Sequence, residues 1–409
     1  MKTKIGIVGL GKLGLCSSLC FAKAGFEIKG YDYSEIVIKS IKKKKFTEPE
    51  VNKYLLKYKD NIQFSSNINI LDKCKIIFVI VPTPSKTNWE FSNEYIFNFL
   101  KIFIKFIQKR KYKFHIIISS TVMPGSCNKF VSFIEKKLNY KINNQFFLSY
   151  NPEFIALGSV IKNFLNPDFV LIGASNNIAA KQLISLYKKT VITNNFAKMS
   201  IQSAEIAKIA LNSYCTLKIS FANLIMRICN KVNNSNSKDI CEALGFDKRI
   251  SPHYFNPGLP FSGPCFPRDN QAFNFFQKKI KIGNNYISKA TILSNKAHIK
   301  FLNKKIHDFI IKNKAKKILI CGVTFKSNTS ITEESYTLEL IKFLREKKIN
   351  FKIFDININK KDTNYNLYSK FICSKNKIKK NNFDLIIDTI KRNKKSNNFK
   401  KNYLNLWEI

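Results

Sequence analysis

The sequence predicts an α/β protein in which two doubly wound domains are joined by a long central helix and a small helical domain. Three observations support this fold class. Short apolar segments alternate with amphipathic helical patterns in the first half of the chain, and the alternation returns in the last third. The stretch from about Ser200 to Val232 contains neither glycine nor proline, which is typical of one uninterrupted helix. A chain of 409 residues is also too long for a single hydrophobic core.

The first predicted domain, residues 1–195, opens with a strand, a turn and a helix. The apolar strand begins at Lys4, runs directly into the turn GLGKLG, and is followed by a helical pattern that ends at Gly25. A second strand ends at Asp32. Further buried strands are predicted at KIIFVIVP, HIIISSTV, FFLSYNPE and DFVLIG, and together they indicate a parallel sheet covered on both faces.

The rest of the chain divides into two predicted domains. Residues 196–300 contain the long helix and the loop around Cys265, and we expect this helical domain to mediate dimerisation. Residues 301–409 form the second α/β domain, with strands at KKILICGVTF, NFKIFD and NFDLIIDTI. The first turn of this last domain lacks a glycine motif, so we do not expect it to bind a dinucleotide as the first domain does.

The most conspicuous feature of the composition is a formal net charge of +43. Such a charge suggests a nucleic-acid or membrane-surface partner. However, the basic residues are almost all lysines spread along the chain, and no RNP, zinc-finger or helix-turn-helix pattern accompanies them. We therefore favour solvated lysine-rich faces and expect no nucleic-acid partner.

Cysteine spacing and hydropathy bear on the compartment. The ten cysteines show no C-x-x-C pair and several lie on apolar segments, which favours reduced core residues over disulfides and argues against a structural metal. No segment is long enough to span a bilayer, and the glycines of the N-terminal apolar run distinguish it from a secretory signal. We expect a cytoplasmic protein with no membrane partner.

The turn after the first strand carries a dinucleotide-binding pattern. Gly9, Gly11 and Gly14 form G-x-G-x-x-G between a strand and a helix, which lets the backbone approach a pyrophosphate at the helix N-terminus. Asp32 closes the next strand, where a carboxylate accepts hydrogen bonds from a ribose diol and repels a 2′-phosphate. This domain is therefore predicted to be Rossmann-like and to bind NAD rather than NADP.

Four polar residues are candidates for a reaction centre. Lys208 and Asn212 stand four apart on the long helix, hence on one face, in apolar surroundings where a charged group needs a reason to be buried. A buried ammonium and an amide can stabilise an oxyanion or transfer a proton. Glu153 and Thr121 follow strands at the carboxyl edge, where doubly wound sheets bind ligands, although each alone is more often a turn or cap residue.

The loop GLPFSGPCFPRDN, residues 258–270, presents a single sulfur. Cys265 stands between two prolines and behind two glycines, four residues before Asp269. Such a loop is tight and poor in side-chain bulk, so it can hold a thiol at a fixed place against another molecule. We interpret Cys265 as a nucleophile.

A set of motifs in fixed order resembles the UDP-glucose/GDP-mannose dehydrogenase family over residues 2 to about 355. The motifs are GIVGLGKLG, VPTP, SSTVMPG, NPEF, AEIAKIALNSYCTLKISFAN, DKRI, PGLPFSGPCFPRD and GVTFK. The resemblance implies a four-electron oxidation of the C6 hydroxyl of a nucleotide sugar to a carboxylate with NAD as cofactor, most simply UDP-glucose to UDP-glucuronate for polysaccharide biosynthesis. It also implies that the C-terminal Rossmann-like domain binds the nucleotide sugar.

The resemblance further implies roles for individual residues. Cys265 matches the cysteine that captures the aldehyde as a thiohemiacetal and becomes a thioester. Lys208 and Asn212 match a pair that helps to deprotonate the alcohol and stabilises oxyanions. Glu153, Thr121 and Asp269 match the group around the hydrolytic water. The cofactor contacts expected are Gly9, Gly11, Lys12, Leu13, Gly14, Asp32, Thr83 and Thr121, and the substrate contacts expected are Glu153, Lys208, Asn212, Arg249, Phe261, Gly263 and Lys326, with Arg249 reaching the substrate of a neighbouring subunit.

Three positions depart from the family pattern. Ser262 and Pro264 replace a glycine and a serine in the cysteine loop, and Glu333 stands where an arginine is expected. The NPEF motif and the absence of a histidine beside Cys265 favour UDP-glucose, with GDP-mannose or another nucleotide sugar as the alternative. A two-electron hydroxyacid-type dehydrogenase and a catalytically inactive paralogue that binds NAD or nucleic acid remain open. The long apolar helix makes a homodimer the expected assembly.

Overall fold

The computed structural model describes residues 2–43, 46, 48–110, 112–155, 157–374, 383–390 and 403–407. The chain divides into two compact units, Met1–Lys208 and Ile209–Ile409. The finer division into three domains stays a prediction. Within the described residues, none of the helices combines the length and the apolar character needed to cross a membrane.

The first unit is built on an eight-stranded sheet in the order β3-β2-β1-β4-β5-β6-β7-β8. Its strands are β1 (Lys4–Val8), β2 (Glu27–Tyr31), β3 (Ile62–Ser65), β4 (Ile76–Val79), β5 (Phe114–Ile118), β6 (Phe146–Tyr150), β7 (Val170–Ala174) and β8 (Phe196–Met199). Its helices are α1 (Lys12–Lys23), α2 (Glu35–Lys42), α3 (Val51–Lys57), α4 (Glu94–Ile107), α5 (Ser126–Leu138), α6 (Val160–Leu165) and α7 (Asn177–Thr190).

Both faces of this sheet are covered, as predicted for a doubly wound domain. Along β4, Ile76 and Phe78 belong to one apolar cluster, whereas Ile77 and Val79 belong to another. Because successive strand residues point to opposite faces, the two clusters lie on the two sides of the sheet. β4 is therefore a continuous apolar run, as expected of a strand that is buried on both faces.

One strand pairing differs from the predicted all-parallel sheet. β7 runs antiparallel to β6, with Tyr150 opposite Gly173. Among the described residues that connect these two strands, the one helix is the six-residue α6, and the chain re-enters the sheet at the edge where β6 ends. A parallel pairing would require a crossover back along the full strand.

A single helix, α8 (Ile201–Cys229), begins in the first unit and continues into the second, close to the predicted span. The other helices of the second unit are α9 (Ser237–Phe246), α10 (Phe266–Lys279), α11 (Tyr286–Lys312), α12 (Tyr336–Glu346) and α13 (Tyr365–Tyr368). Its parallel sheet has the order β10-β9-β11-β12, formed by β9 (Ile318–Cys321), β10 (Phe351–Phe354), β11 (Leu385–Asp388) and β12 (Tyr403–Asn405). This α/β arrangement with two parallel-type sheets and a long helix confirms the predicted fold class.

Candidate active site

The turn between β1 and α1 has the shape of a phosphate cradle. Gly9 has a φ of +88°, and a Cβ there would lie 2.4 Å from the carbonyl oxygen of Ile80. At Gly14, a Cβ would lie 1.8 Å from the carbonyl oxygen of Gly9. Around Gly11, by contrast, a Cβ would meet no atom within 4 Å. Gly9 and Gly14 thus let the helix pack closely on the strand, and Gly11 leaves open space at the helix N-terminus.

Asp32 is fixed at the end of β2 by backbone donors. Its Oδ2 accepts a hydrogen bond from Leu10 N at 2.8 Å, and its Oδ1 accepts one from Ser34 N at 2.9 Å. Each carboxylate oxygen keeps a lone pair for a further donor. The open glycine turn and this carboxylate fit a dinucleotide with a free ribose diol, which NAD carries. Lys12 is exposed at the start of α1 and Leu13 is half-buried, so both flank the same turn.

The segments that follow β4 and β5 are tied together at the carboxyl edge of the sheet. Thr83 Oγ1 donates to the carbonyl oxygen of Thr121 at 2.7 Å. Ser120 Oγ donates to Val81 O at 2.7 Å and accepts from Val81 N at 2.9 Å. The predicted residues Thr83 and Thr121 are therefore direct neighbours at the edge where such sheets bind ligands.

Glu153 lies in a buried hydrogen-bonded group after β6. The hydroxyl oxygen of Tyr187 is 3.0 Å from Glu153 Oε1 and 2.6 Å from Asn151 Oδ1. A single phenolic proton can be donated to only one of these oxygens at a time. The residue keeps some solvent contact, but protein surrounds its carboxyl group, and this desolvation raises the pKa of Glu153 to about 7, against the lowering effects of the Tyr187 hydrogen bond and the Lys208 charge.

Lys208 is buried beside the same segment. Its Nζ donates to the backbone carbonyl oxygen of Glu153 at 2.7 Å and lies 4.4 Å from the ring centre of Phe154. The carbonyl dipole and the ring face offset part of the cost of burying an ammonium group. The structure thus brings Glu153 and Lys208 together.

Cys265, Asp269 and Asn212 form a second group, in the unit that follows Lys208. Cys265 is the N-cap residue of α10, and its carbonyl oxygen accepts from Asp269 N at 2.8 Å. Asn212 Nδ2 donates to Asp269 Oδ2 at 2.7 Å, and both residues are buried. Arg268 Nε contacts Asp269 Oδ1 at 3.2 Å. The carboxylate of Asp269 thus has two side-chain partners, and these fix the first turn of α10, the helix that begins after Cys265.

Cys265 differs from the other cysteines in its exposure. All ten cysteines lie within the described residues, and no disulfide joins them. Seven are buried, two are half-buried, and only Cys265 is exposed. Because Cys265 is the N-cap residue of α10, the positive end of the helix dipole lies at this residue and favours negative charge there. A thiolate presented in this way can attack an electrophilic carbon.

The remaining predicted substrate residues also lie in the second unit. Gly263 has a φ of +82°, and a Cβ there would lie 2.5 Å from the Phe325 ring. Lys326 Nζ is 5.6 Å from the centre of that ring. Arg249 is exposed, and its Nη2 lies 2.6 Å from Asp247 Oδ2.

Of the three residues that depart from the family pattern, Ser262 and Glu333 line one cavity. The cavity has a volume of about 400 Å³, and Phe261 and Asn295 also contribute to it. The third, Pro264, directly precedes Cys265.

Sequence reasoning missed the partners of several of these residues. Tyr187 contacts Glu153 from α7, and Glu205 of α8 accepts backbone hydrogen bonds from Gly125 and Cys127. Buried polar residues inside amphipathic helices were the available signal, but their partners are 34 to 80 positions away. Local spacing does not reveal such pairs.

Comparisons with known proteins point to one family. Residues 3–191 match the NAD binding domain of the UDP-glucose/GDP-mannose dehydrogenase family, and residues 202–296 match the central domain of that family. UDP-glucose 6-dehydrogenase of Rickettsia bellii is 31% identical over 364 residues, covering 86% of this chain and 80% of the relative. GDP-mannose 6-dehydrogenase of Azotobacter vinelandii is 27% identical, covering 87% of this chain and 81% of the relative.

Solved structures support the same fold. The UDP-glucose dehydrogenase from the archaeon Pyrobaculum islandicum superposes with a TM-score of 0.84 at 23% sequence identity, covering 95% of this chain and 90% of that chain. The UDP-N-acetyl-mannosamine dehydrogenase Cap5O from Staphylococcus aureus gives a TM-score of 0.79 at 19% identity, covering 99% of both chains. With its glycine cradle, its Asp32 carboxylate and matches to two family domains, the chain is an NAD-dependent oxidoreductase and belongs to the UDP-glucose/GDP-mannose dehydrogenase family.

Proposed function

We propose that the protein oxidises the C6 hydroxyl of a nucleotide sugar to a carboxylate, with UDP-glucose as the preferred substrate and UDP-glucuronate as the product. The observation that carries the proposal is the exposed thiol of Cys265 at the N-terminus of α10, four residues before a buried Asp269 that binds Asn212. A two-electron alcohol dehydrogenase has no need of a presented sulfur, whereas a four-electron enzyme must hold its aldehyde between two oxidations. The matched relatives named for UDP-glucose and GDP-mannose support this substrate class.

NAD would be held by Gly9, Gly11, Lys12, Leu13, Gly14, Asp32, Thr83 and Thr121 and, when bound, removes a hydride in each oxidation. Lys208 and Asn212 would stabilise the oxyanion that forms when the alcohol or the aldehyde adduct loses a proton. Glu153, with its pKa near 7, can accept and release a proton at neutral pH and would serve the hydrolytic water together with Thr121 and Asp269.

The sulfur of Cys265 would trap the intermediate. A carbon–sulfur bond forms when the thiolate attacks the aldehyde, and the carbonyl oxygen takes up a proton. The second oxidation leaves a thioester on Cys265, and water cleaves the carbon–sulfur bond to release the carboxylate and the thiolate. In sum, one alcohol, two NAD⁺ and one water give one carboxylate, two NADH and three protons.

The number of NADH molecules formed per sugar tests this proposal. We expect two NADH per UDP-glucose and weaker turnover of GDP-mannose, measured by absorbance at limiting substrate. Cys265→Ala should stop the second oxidation, whereas Cys373→Ala, at a half-buried cysteine outside the loop, should leave the yield at two. A yield of one NADH per sugar from the unmodified enzyme, with the same yield from Cys265→Ala, would favour the hydroxyacid-type alternative. Two NADH per sugar from Cys265→Ala would show that the four-electron oxidation does not need this sulfur. No NADH from any nucleotide sugar, with binding of polyanions, would favour an inactive paralogue.

The assembly belongs to the same proposal. Tyr214, Phe221, Leu224 and Ile228 are exposed on α8 at spacings of seven, three and four, so they share one face of the helix. We propose that two copies pack through this face into a homodimer in the cytoplasm. Arg249, exposed beside Asp247, would then be available to the substrate of the neighbouring subunit.

A further inference from the structure

The segment that leads to Cys265 is held in place by side chains that form hydrogen bonds with its main chain. Asn223, in the C-terminal third of α8, binds main-chain groups of two successive residues in this segment. Its Oδ1 accepts from Gly258 N at 2.9 Å, and its Nδ2 donates to Leu259 O at 3.1 Å. Asn223 is only 1% exposed, so both bonds are made away from water.

Two side chains from α11 hold the same segment. Asn295 Oδ1 accepts from Phe261 N at 3.0 Å, and Asn295 Nδ2 donates to Phe261 O at 3.1 Å. One turn further along the helix, His298 Nε2 donates to Gly258 O at 2.7 Å, and the ring is fully buried. Residues 258–261 therefore have five of their main-chain groups bound by side chains of two separate helices, a set that we call the loop clamp (Asn223, Asn295 and His298).

The chemistry of the clamp is specific. An amide side chain can donate and accept at once without carrying a charge, which matches the N–H and C=O of one peptide chain. Asparagine is a poor residue for a helix interior, and a buried amide without partners is costly. Its presence at two buried helix positions is explained by the backbone groups that it satisfies.

Aromatic rings restrict the same segment through its glycines. A Cβ on Gly258 would lie 2.9 Å from the Trp407 ring, and a Cβ on Gly263 would lie 2.5 Å from the Phe325 ring. Pro264 is the only residue between Gly263 and Cys265. The clamp and the rings together leave the backbone before the sulfur little freedom.

We propose that Asn223, Asn295 and His298 are positioning residues that fix Cys265 at the N-terminus of α10. They act through the backbone of residues 258–261. The effect of this positioning on catalysis rests on the proposed function of Cys265. The positioning itself is independent of that function.

The test uses Asn223→Ala and Asn295→Ala in the full chain, with Asn303→Ala as the matched control. Asn303 is also buried on α11, but it accepts a hydrogen bond from the Tyr336 hydroxyl at 2.8 Å and does not contact the loop. In the two clamp variants, amide hydrogen exchange at residues 258–263 should rise about tenfold or more without a matching rise elsewhere. Alkylation of Cys265 by iodoacetamide should slow severalfold as the sulfur leaves the helix end.

Activity and rescue provide further readouts. We expect kcat of the clamp variants to fall by about 10- to 100-fold, as for other small displacements of reacting groups. His298→Leu should show the same changes in exchange, alkylation and kcat. His298→Gln keeps a donor for Gly258 O and should bring all three back toward the values of the unmodified protein.

Three results would overturn the proposal: exchange and alkylation in the clamp variants equal to those of Asn303→Ala, normal kcat in those variants, or failure of His298→Gln to restore what His298→Leu loses. His298→Leu keeps an apolar side chain in the site and serves as the test if an asparagine variant fails to fold. Two NADH per sugar from Cys265→Ala would refute the proposed function alone, because exchange and alkylation are measured without substrate.

Discussion

Burial and hydrogen bonding have opposite effects on the pKa of Glu153. Burial raises the pKa of this carboxyl group to about 7, and the Tyr187 hydrogen bond and the Lys208 charge hold it from rising further. Both protonation states are therefore populated at neutral pH. In the proposed hydrolysis, this balance would let Glu153 take a proton from water and later release it.

Tyr187→Phe should shift the pH dependence of the reaction upward. Removing the phenolic donor removes an interaction that favours the carboxylate, so the pKa of Glu153 should rise above its present value near 7. The acid limb of kcat/KM against pH should then move to higher pH by a few tenths of a unit or more. Tyr112→Phe, which removes a hydroxyl 3.4 Å from Leu71 O, is the matched control. An unchanged profile, or a shift to lower pH, would contradict this account.

Single residues were predictable where local spacing carried the information. Gly9, Gly11, Gly14 and Asp32 could be found because strand, turn and acid follow one another within one supersecondary unit. Cys265 could be found from the prolines and glycines around it. Their roles in catalysis remain predictions, and their geometry is what the structure adds.

At the scale of elements, α8 holds the start of α5. Glu205, fully buried on α8, accepts from Gly125 N at 2.6 Å and from Cys127 N at 2.8 Å. Burial raises the pKa of Glu205, while these backbone bonds lower it. The carboxylate satisfies orphan donors at the helix N-terminus and joins the loop that carries Thr121 to the helix that carries Lys208.

Glu205→Ala should destabilise the first unit. Two backbone N–H groups would lose their acceptor in a buried site, which costs about 1–3 kcal/mol for each unsatisfied group. Chemical denaturation followed by circular dichroism measures the loss. Gln202→Ala is the control, because Gln202 is exposed on the same helix and contacts Asn128 at its surface. Equal free energies of unfolding for the two variants would show that the Glu205 carboxylate does not stabilise the first unit.

Element types were predictable, but their pairings were not. The apolar strands and the long glycine-free helix follow from composition over five to thirty residues. The antiparallel pairing of β6 with β7 depends on where a six-residue helix returns the chain. Likewise, the loop clamp joins Asn223 to a loop 35 positions away, and no periodicity encodes that distance.

At the scale of the whole molecule, each unit contains one buried neutral histidine. His115 lies between Gln182 at 2.7 Å and Ser149 at 2.8 Å, and burial lowers its pKa to about 4. Burial likewise lowers the pKa of His298 to about 4. Unfolding exposes each ring to water, where its pKa returns to about 6.5.

We expect the protein to lose stability as the pH falls from 6.5 toward 4. Because the folded pKa is depressed, the unfolded chain binds protons that the folded chain does not, so each histidine contributes fully above pH 6.5 and progressively less below it. The contribution is on the order of 3 kcal/mol for each histidine. His298→Gln should flatten this dependence in urea titrations, whereas His253→Gln, at an exposed position, should not. If His298→Gln lost stability with falling pH as steeply as the unmodified protein does, this explanation would be wrong.

The proposed dimer has to form between two strongly basic chains. With a net charge of +43 on each copy, apolar burial along α8 must overcome like-charge repulsion. Leu224→Glu should shift the protein toward monomer in sedimentation velocity, and Ile311→Glu, exposed on α11, should not. Added salt should strengthen the unmodified dimer by screening. A monomeric wild-type protein at micromolar concentration would contradict the proposal.

The contact between Trp407 and Gly258 affects how the protein matures. The strand β12 pairs with β11, and Trp407 lies two residues beyond the end of β12, so we expect the ring to reach Gly258 only after this strand has joined the sheet. A ribosome makes residue 407 long after residue 258, and the N-terminal parts of a nascent chain fold first. During synthesis the loop before Cys265 therefore lacks one of its restraints until residue 407 has been made and β12 has joined the sheet.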